Sequence, residues 1–365
     1  MSKYNKKSDV TIVIPNLCFG GAEKICINLC NHIVNEFKTN LIIVGQDLSL
    51  INQLDKRINL IKFNSNRMSY SFFKFIQYFY KHKNINVISF LNNANLICCI
   101  CKLFFNFNLV ITIHNVLKPP REVNKFIDKA LNFLCSIFYR KSDHIISISK
   151  KIKDDLKSYF DIDSKVIYNP VLNNQLRDFN KQDENLSLEK YNLKTGNYII
   201  NIGSLSEQKN HLFMIKAFKK ISEKYKGKYK LLILGDGENK SKVQEKIIRY
   251  SLEKEIILLG NVENPGFFLK NSMCFLLTSK WEGLPNVIVE AMNFEKPIIA
   301  TKCPSGIDEV LPHGDFGFYI DPNINLILKK FDLIVNAKIK NQNYNRVLEN
   351  FLVSNQALKY IGLLK

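Results

Sequence analysis

Two carboxylates stand eight positions apart in the stretch KWEGLPNVIVEAM, residues 280–292. Glu282 precedes a Gly-Leu-Pro turn, and Glu290 falls inside the apolar run that follows it. Pro285 suits the first position of a helix. We therefore expect Glu290, five residues later, to lie about 7–8 Å from Pro285 along the helix axis, at 1.5 Å per residue. A carboxylate can accept hydrogen bonds from two neighbouring hydroxyls. The pair is therefore predicted to hold opposite ends of a nucleotide-sugar, with its phosphates near the helix N-terminus.

The same two acids also have ordinary structural explanations. Glu282 can stabilise the helix dipole, and Glu290 can be solvated, although its neighbours in VIVEAM are apolar and a buried carboxylate needs polar partners. A glycoside hydrolase also uses two carboxylates at a defined separation. Such an enzyme would not need phosphate-binding loops, so binding of a nucleotide-sugar distinguishes the two classes.

A second set of residues fits an anion. Gly20 and Gly21 lie between the apolar stretch TIVIP and an amphipathic stretch, where a strand is expected to turn into a helix. Such a turn presents backbone N–H groups and a helix N-terminus to phosphate. A plain tight turn explains two glycines equally well, and the GxGxxG spacing of dinucleotide-binding proteins is absent.

Short apolar runs alternate with helical segments along the chain, which predicts parallel sheets covered on both faces. The predicted strands are 11–15, 39–45, 86–91, 108–114, 144–149 and 165–170 in the first half, and 198–203, 229–235, 255–260, 273–278 and 297–301 in the second. The polar stretch 173–196 separates the two halves. In such folds ligands bind beyond the C-terminal strand ends, so we expect a ligand in a cleft between two facing halves.

This alternation sets the predicted fold class and domains. We expect an α/β protein with two Rossmann-like domains, 1–172 and 173–345, and a short C-terminal segment, 346–365.

Composition narrows the class further. The nine cysteines include one CxxC spacing, Cys98 and Cys101, but no second one to pair with it, which is typical of a reduced, cytosolic protein and makes a zinc site unexpected. The net charge is +19, and residues 56–141 hold 14 Lys/Arg against only 2 Asp/Glu. That imbalance favours an anionic partner, either nucleic acid or a membrane surface, while a Lys- and Asn-rich composition from a biased genome is the ordinary alternative.

Several stretches together resemble retaining glycosyltransferase family 4, which has the GT-B fold. SKWEGLPNVIVEAM is similar to the family's motif of two glutamates separated by seven residues, and the other similar stretches occur in the family's order along nearly the whole chain. They are GGAEK (20–24), ITIHN (111–115), VIYNPV (166–171), NIGSLSEQKNH (201–211), ILGDGE (233–238) and LLGNV (258–262).

The resemblance implies that 1–172 is the N-terminal acceptor-binding domain, that 173–345 is the C-terminal nucleotide-sugar-binding domain, and that 346–365 forms a helix that packs back toward the N-terminal domain. It also implies a role for each matching residue. Glu290 would hold the ribose hydroxyls, and Glu282 would contact the transferred sugar with the backbone of the turn that follows it. The other residues of the implied donor site are Gly21, Ser204, Lys209, Asn261, Val262, Gly283, Leu284 and Pro285, and the implied catalytic residues are His114, Lys209 and Glu282. Lys209 would neutralise the diphosphate, His114 would contact the sugar, and Asn261 and Val262 would line the base pocket.

Two positions depart from the family pattern. Ser204 stands where members usually carry Arg, so either Lys209 acts with fewer helpers or another base, such as Lys280, substitutes. Glu295 stands where members usually have glycine after the helix, which implies either local strain or a different helix cap.

The implied reaction is transfer of a hexose or N-acetylhexosamine with retention and without a metal or other cofactor. The leaving phosphate would take the acceptor proton. A UDP-sugar donor is preferred, and the glycan acceptor is expected to be lipid-linked, in bacterial polysaccharide, lipopolysaccharide or glycoprotein assembly. A GDP-mannose-dependent mannosyltransferase and a sugar-nucleotide epimerase of the same fold are the alternatives.

The basic half of the chain is predicted to dock on an anionic membrane. In RMSYSFFKFIQYFYKHK, residues 67–83, aromatic and basic side chains alternate, as in helices that lie in a lipid interface. Lys74, Lys81 and Lys83 are the predicted membrane-facing residues, which would place the protein on the inner face of the cytoplasmic membrane. The ordinary alternative is that Phe72, Phe75, Ile76 and Phe79 simply face the core. No nucleic-acid motif is present, so no nucleic-acid partner is expected.

Overall fold

The computed structural model describes residues 7–65, 68–115, 133–173, 188–311, 317–336 and 344–364. The chain forms two compact units: unit 1 is Met1–Val171 with Phe351–Lys365, and unit 2 is Leu172–Asn350. The divisions at 171/172 and 350/351 stand beside the 172/173 and 345/346 boundaries expected from the sequence.

Each unit contains a parallel sheet. Apolar and largely β-branched runs form the central strands, which are buried along nearly their whole length because helices cover both faces. The strands are β1 (Lys7–Ile14), β2 (Phe37–Ile43), β3 (Asn59–Lys62), β4 (Asn86–Phe90), β5 (Asn108–Ile113), β6 (His144–Ser147) and β7 (Lys165–Val166) in unit 1, and β8 (Tyr198–Ile202), β9 (Lys230–Leu234), β10 (Ile256–Gly260), β11 (Cys274–Leu277), β12 (Ile298–Thr301) and β13 (Phe318–Ile320) in unit 2.

Most of the described helices lie in the connections between strands, and the last three follow the last strand. The helices are α1 (Gly21–Ile33), α2 (Phe72–Lys81), α3 (Asn92–Lys102), α4 (Lys150–Phe160), α5 (His211–Tyr225), α6 (Lys240–Arg249), α7 (Gly266–Asn271), α8 (Asn286–Asn293), α9 (Ile307–Val310), α10 (Ile324–Val335), α11 (Asn345–Leu348) and α12 (Val353–Ile361). Residues 133–138 are also helical. Within the described ranges, none of these helices is both long and apolar enough to cross a bilayer.

The described strands of unit 1 are ordered β3-β2-β1-β4-β5-β6-β7. The order reverses between β1 and β4, so the loops that follow these two strands diverge and leave a crevice at the C-terminal edge. The last helix also belongs to this unit. Helix α12 packs against α1, Asn108 donates a hydrogen bond from Nδ2 to the carbonyl of Leu363 at 2.8 Å, and the Val171 N–H donates to the Phe351 carbonyl at 3.0 Å.

The described strands of unit 2 are ordered β10-β9-β8-β11-β12-β13, with the reversal between β8 and β11. Helices α5 and α10 pack together over one face, where the rings of Tyr225, Tyr229 and Phe331 meet edge to face with centroids 5.2–5.6 Å apart. The core of this unit is continuous from this aromatic group to the strands.

The fold-class prediction of two Rossmann-like α/β sheets is confirmed, with differences at edges and ends. The edge strands β3 and β13 were not predicted, because they are short and only partly buried and therefore lack a clear apolar run. Helix α1 ends at Ile33, and the chain enters β2 soon afterwards because Phe37 already pairs with β1.

Candidate functional site

The predicted donor residues of unit 2 lie on loops at one edge of its sheet. Parallel strands end at the same edge, so the loops after β8, β9, β10, β11 and β12 are neighbours. The loop after β8 carries Lys209, and the loop after β11 carries Glu282. These two strands flank the point where the strand order reverses, which is where open α/β sheets form their ligand crevice.

Glu282 is buried, with 5% of its surface exposed, and its carboxylate is held by three side chains. Lys209 Nζ lies 2.6 Å from Oε1, and the Ser279 hydroxyl donates to the same oxygen at 2.6 Å. Gln208 donates from Nε2 to Oε2 at the longer distance of 3.3 Å. A buried charge requires this kind of pairing, and the weaker contact leaves Oε2 the better placed oxygen to accept a ligand hydroxyl.

Backbone hydrogen bonds fix this carboxylate relative to the neighbouring loops. The N–H of Lys280 donates to the Gln208 carbonyl at 2.7 Å, and the N–H of Glu282 donates to the Pro304 carbonyl at 3.1 Å. The N–H of Gly306 in turn donates to the carbonyl of Gly283 at 2.9 Å. The loops after β8, β11 and β12 are therefore joined where Glu282 lies.

The turn after Glu282 differs from the prediction in one respect. Pro285 is the N-cap of α8, with φ −78° and ψ 88°, and not its first helical residue. Having no N–H, Pro285 cannot donate to a phosphate, so Gly283 and Leu284 are the possible backbone donors in this turn. Glu290 lies in α8 with 6% of its surface exposed, which excludes the alternative of a solvated side chain.

The helix cap after Glu290 explains one departure from the family pattern. Glu295 has φ +54°, so it occupies the left-handed position that usually belongs to glycine at the end of a helix. Its N–H donates to Met292 at 2.9 Å, and the next N–H, of Lys296, donates to Ala291 at 3.1 Å. These two bonds close the helix despite the side chain.

The loop that carries Lys209 rests on two glycines. A Cβ on Gly203 would lie 3.2–3.3 Å from carbons of the Lys209 side chain, which therefore packs directly on this glycine. Gly235 has φ +137°, and a Cβ there would lie 2.2 Å from the carbonyl oxygen of Gly203. The close approach of the loops after β8 and β9 thus depends on Gly235.

A buried polar pair lies beneath the same loop. His211, the first residue of α5, contacts Asn201 Oδ1 through Nε2 at 2.9 Å, and Asn201 donates to the Leu276 carbonyl at 2.8 Å. Since Oδ1 of an amide only accepts, Nε2 carries the proton. Burial, reinforced by the charge of Lys209, lowers the pKa of His211 to about 4, so this imidazole is neutral.

The remaining predicted donor residues occupy neighbouring loops. Asn261 and Val262 follow β10, next to the bridge in which Gly235 donates to the Gly260 carbonyl at 2.7 Å. Ser204 is exposed, with its hydroxyl 3.2 Å from that of Ser206.

Lys280, suggested above as a substitute for the missing arginine, is paired with Glu207. Its Nζ lies 2.8 Å from Glu207 Oε1, and the carboxylate of that partner is 61% exposed. The structure therefore places the Lys280 ammonium on a surface ion pair, whereas Lys209 is the cation that contacts Glu282.

In unit 1 the Gly20–Gly21 turn begins α1 as expected, with Gly20 as the N-cap. The buried carboxylate of Glu23 folds back over this turn, so that a Cβ on Gly20 would lie 2.0 Å from Glu23 Oε2. The Cys18 thiol donates to Oε1 of Glu23 at 3.3 Å. Burial raises the pKa of Glu23, and burial together with the nearby carboxylate raises the pKa of Cys18 to about 12.

His114 directly follows β5 and is buried, with 7% exposed. The Thr112 hydroxyl donates to the Ser89 carbonyl at 2.9 Å and lies 3.0 Å from His114 Nε2. Because a hydroxyl has one proton, Thr112 must accept from Nε2–H, which leaves Nδ1 as the acceptor nitrogen. Burial lowers the pKa of His114 to about 4, and its ring stacks on Phe90 with centroids 5.3 Å apart.

The predicted membrane-facing lysines lie on and just after α2. Lys74, Lys81 and Lys83 are all exposed. Lys74 donates from Nζ to the Phe63 carbonyl, while Lys83 lies over the Tyr80 ring, 5.7 Å from its centroid. Arg67, the first residue of the predicted aromatic and basic run, lies outside the described residues.

The sequence analysis missed Ser279 and Gln208. Ser279 stands three residues before Glu282. This is the spacing of the serine and glutamate in a capping box, where each side chain accepts a hydrogen bond from the other residue's backbone N–H, and that spacing was the available signal. Gln208 offered no signal beyond its place next to Lys209. Within the described ranges, no group of three or more His, Cys, Asp or Glu side chains is arranged to hold a metal ion.

Comparisons with known proteins match both halves of the chain to glycosyltransferases. Residues 19–172 match the family model described as Glycosyltransferase Family 4, and residues 183–349 match the model described as Glycosyl transferases group 1. An uncharacterized glycosyltransferase of Methanocaldococcus jannaschii is 33% identical over 279 residues, which span 73% of this chain and 66% of that protein.

Two further matches extend over almost the whole chain. The N-acetylgalactosamine-N,N'-diacetylbacillosaminyl-diphospho-undecaprenol 4-alpha-N-acetylgalactosaminyltransferase of Campylobacter jejuni is 27% identical over 96% of this chain and 98% of its own length. The crystal structure of Anabaena HepE in complex with UDP and glucose covers 98% of this chain and 99% of its own, with a TM-score of 0.82 and 18% identity. That likeness shows the fold, which is the two-domain fold expected from the resemblance.

Proposed function

Because this chain belongs to glycosyltransferase family 4, we propose that it transfers a hexose or N-acetylhexosamine from a UDP-sugar to a lipid-linked glycan acceptor, with retention of configuration. The observation that carries the proposal is the buried carboxylate of Glu282, held by Lys209, Ser279 and Gln208 at the reversal of strand order in unit 2. Such a fixed carboxylate suits recognition of sugar hydroxyls. The Campylobacter relative, which by name acts on an undecaprenol-linked glycan, supports the choice of acceptor.

The proposed donor site divides the nucleotide-sugar among the loops of unit 2. Glu290 binds the ribose hydroxyls, and Asn261 and Val262 contact the base. The N–H groups of Gly283 and Leu284, just before α8, bind phosphate, since a helix N-terminus favours an anion. Glu282 accepts a hydroxyl of the transferred sugar through Oε2, the oxygen with the longer protein contact.

Lys209 is proposed to stabilise the leaving nucleoside diphosphate. Its ammonium group is partly buried, with 16% of the side chain exposed, and a cation in a partly desolvated site stabilises developing negative charge better than in water. The ammonium group contacts Glu282. A donor diphosphate would share Lys209 with that carboxylate, so binding of the donor would link the sugar and phosphate contacts.

We propose that the reaction proceeds without a metal, with Lys209 and the turn before α8 supplying the positive charge. The leaving phosphate takes the acceptor proton on the same face of the sugar, as the family resemblance implies. For unit 1 we propose that His114 accepts a hydrogen bond from a sugar hydroxyl through Nδ1, and that the Gly21 backbone binds the phosphates or the acceptor.

The test is a screen of UDP- and GDP-sugars for thermal stabilisation and donor hydrolysis, with and without EDTA. We expect a UDP-sugar to give the largest effect, EDTA to change nothing, and the product of transfer to keep the donor's anomeric configuration by NMR. Glu282→Gln should abolish turnover, while Glu207→Gln, which changes an exposed carboxylate on the same loop as Lys209, should not.

Other outcomes of the donor screen would support a different function. Preference for GDP-mannose would replace the donor assignment, and sugar epimerisation without acceptor would make the enzyme an epimerase. Cleavage of a glycan without any nucleotide-sugar binding would overturn the proposal in favour of a glycoside hydrolase.

The proposed place of action is the inner face of the cytoplasmic membrane, where a lipid-linked acceptor and a cytosolic nucleotide-sugar meet. The excess of basic residues over acidic ones in 56–141 supports attraction to an anionic surface, and the lack of a nucleic-acid motif in the sequence favours lipid over nucleic acid. Fractionation of cells should find the protein with the membrane at low salt and release it at high salt.

A further inference from the structure

Large apolar side chains are exposed on three successive segments of unit 1. In α2 and just before it, and also after α3 and in the helical residues 133–138, aromatic and aliphatic groups face solvent. They are Tyr70, Phe73, Tyr80, Leu103, Phe104, Phe133, Leu134 and Ile137, and we call them the aromatic surface. Phe73, Phe104 and Phe133 are 75%, 69% and 64% exposed, which is unusual for phenylalanine in a folded domain.

The topology places these segments on one face of the sheet. The connections β3–α2–β4, β4–α3–β5 and β5–(133–138)–β6 all advance in the same direction along the strand order. Since such crossovers are right-handed, their helices cover the same face, and α1, which runs in the other direction, covers the opposite one. A ring contact supports this placement of α2 and α3 on one face. The ring of Phe79 in α2 stacks on that of Phe107, which follows α3, with centroids 4.4 Å apart.

Packing of the core does not require the exposed side chains. On α2, Phe75, Tyr78 and Phe79 are buried, and Phe72 and Ile76 are half-buried, as the core-facing alternative expected. Phe73 and Tyr80 are exposed instead. These two are seven residues apart, so they lie on one stripe about 10 Å long. Lys81 and Lys83 flank the same stripe, giving the alternation of apolar and basic groups that suits a lipid interface.

The charge of the region identifies the partner. No acidic residue occurs among the described residues of 56–141, whereas nine Lys or Arg do: Lys56, Arg57, Lys62, Lys74, Lys81, Lys83, Lys102, Arg140 and Lys141. Two of them are paired with acids just outside this range, Arg57 with Asp55 and Lys102 with Asp143. A second copy of this chain would bring the same positive charge against it, and an ordinary protein surface of mixed charge would gain little. An anionic bilayer supplies both the negative surface and an apolar layer for the phenylalanines.

We propose that the aromatic surface inserts into the interfacial layer of an anionic membrane, and that the lysines only attract the protein to it. The inference rests on the proposed membrane-linked acceptor for its purpose but on the exposure of these side chains for its evidence. Two components of binding follow. Attraction by Lys81 and Lys83 fades with salt, whereas insertion of Phe73, Tyr80 and Phe104 persists at high salt.

The experiment is co-sedimentation of the whole protein with vesicles of phosphatidylglycerol and phosphatidylcholine at low and high salt. The variant Phe73→Ser/Phe104→Ser should lower the partition coefficient about a hundredfold, about tenfold for each ring removed, and lose the part of binding that resists salt. Lys81→Glu/Lys83→Glu should lose binding at low salt and keep the residual binding at high salt. Ile248→Ser, which changes a side chain that is 61% exposed in unit 2, should bind like the wild type.

Several outcomes would overturn the inference. One is a phenylalanine variant that sediments like the wild type, and another is a wild-type protein that stays in the supernatant at every salt concentration. Loss of a dimer in this variant by light scattering would assign the surface to a second copy instead. Donor hydrolysis measured without vesicles keeps the two proposals separate, because it should be normal in all three variants and fails only if the proposed function is wrong.

Discussion

The ammonium group of Lys209 lies 2.6 Å from Oε1 of Glu282, although the two residues are 73 positions apart in the sequence. The contact joins the loops after β8 and β11, on the two sides of the reversal in strand order. It joins the proposed phosphate-binding residue directly to the proposed sugar-binding residue. The same contact has a measurable effect on stability.

Lys209→Met should destabilise unit 2 by about 3 kcal/mol, because it leaves the carboxylate of Glu282 buried without its cation. Adding Glu282→Gln should restore part of the loss, since the uncompensated charge is then gone. Urea unfolding of the wild type, both single variants and the double variant measures this coupling. Additive losses would contradict a direct interaction.

Glu290→Ala should weaken binding of UDP and of the UDP-sugar alike, by about a hundredfold, because it removes the charged acceptor of two hydrogen bonds donated by the ribose hydroxyls. Calorimetry with both ligands checks this. Glu282→Gln is the contrasting variant, since it should keep the affinity for free UDP and lose turnover. Normal UDP affinity in Glu290→Ala, once GDP has also been tested and excluded as the true ligand, would refute the ribose assignment.

Gly235→Ala should destabilise unit 2 by about 3 kcal/mol or more, because φ of +137° and a Cβ at 2.2 Å from the Gly203 carbonyl force the loops after β8 and β9 apart. Gly196→Ala is the matched control. That glycine also has a positive φ, +75°, but a Cβ would meet nothing within 4 Å, so the expected loss is about 1 kcal/mol. Equal losses in thermal unfolding would mean that the close approach has no importance.

Stability should fall as the pH is lowered from 7 to 5, partly because of His114. Burial lowers its pKa from 6.5 to about 4 in the folded protein, so the unfolded chain binds more protons in that range and gains stability from them. The expected contribution is about 2 kcal/mol between pH 7 and pH 5. His114→Asn should remove that part of the slope in urea unfolding, and an unchanged slope would contradict a neutral buried imidazole.

Local patterns predicted most of the fold. Buried strands are continuous apolar runs, and the stretch around Glu282 and Glu290 combines a turn, a proline and a helical segment within thirteen residues. The edge strands β3 and β13 are short and half exposed, so their residues carry no comparable signal.

Contacts between segments that are distant in the chain could not be predicted from the sequence. Nothing local indicates that Lys209 pairs with Glu282 while Lys280 pairs with Glu207, because that choice depends on how the loops after β8 and β11 are packed. Helical periodicity likewise indicates which residues of α2 share a stripe, but it does not say which stripe faces solvent. The exposure of Phe73 therefore had to come from the structure.

The position of α12 has a consequence for biosynthesis. Residues 351–364 pack in unit 1, yet the ribosome makes them only after all of unit 2. While unit 2 is being translated, the side of unit 1 that α12 covers remains open. The hydrogen bond from Asn108 to the Leu363 carbonyl has not yet formed at that stage. A nascent chain must therefore keep unit 1 unfinished for the time it takes to synthesise about 180 residues, about 10–40 s at 5–20 residues per second, and this interval is when the α1 face is open to chaperones.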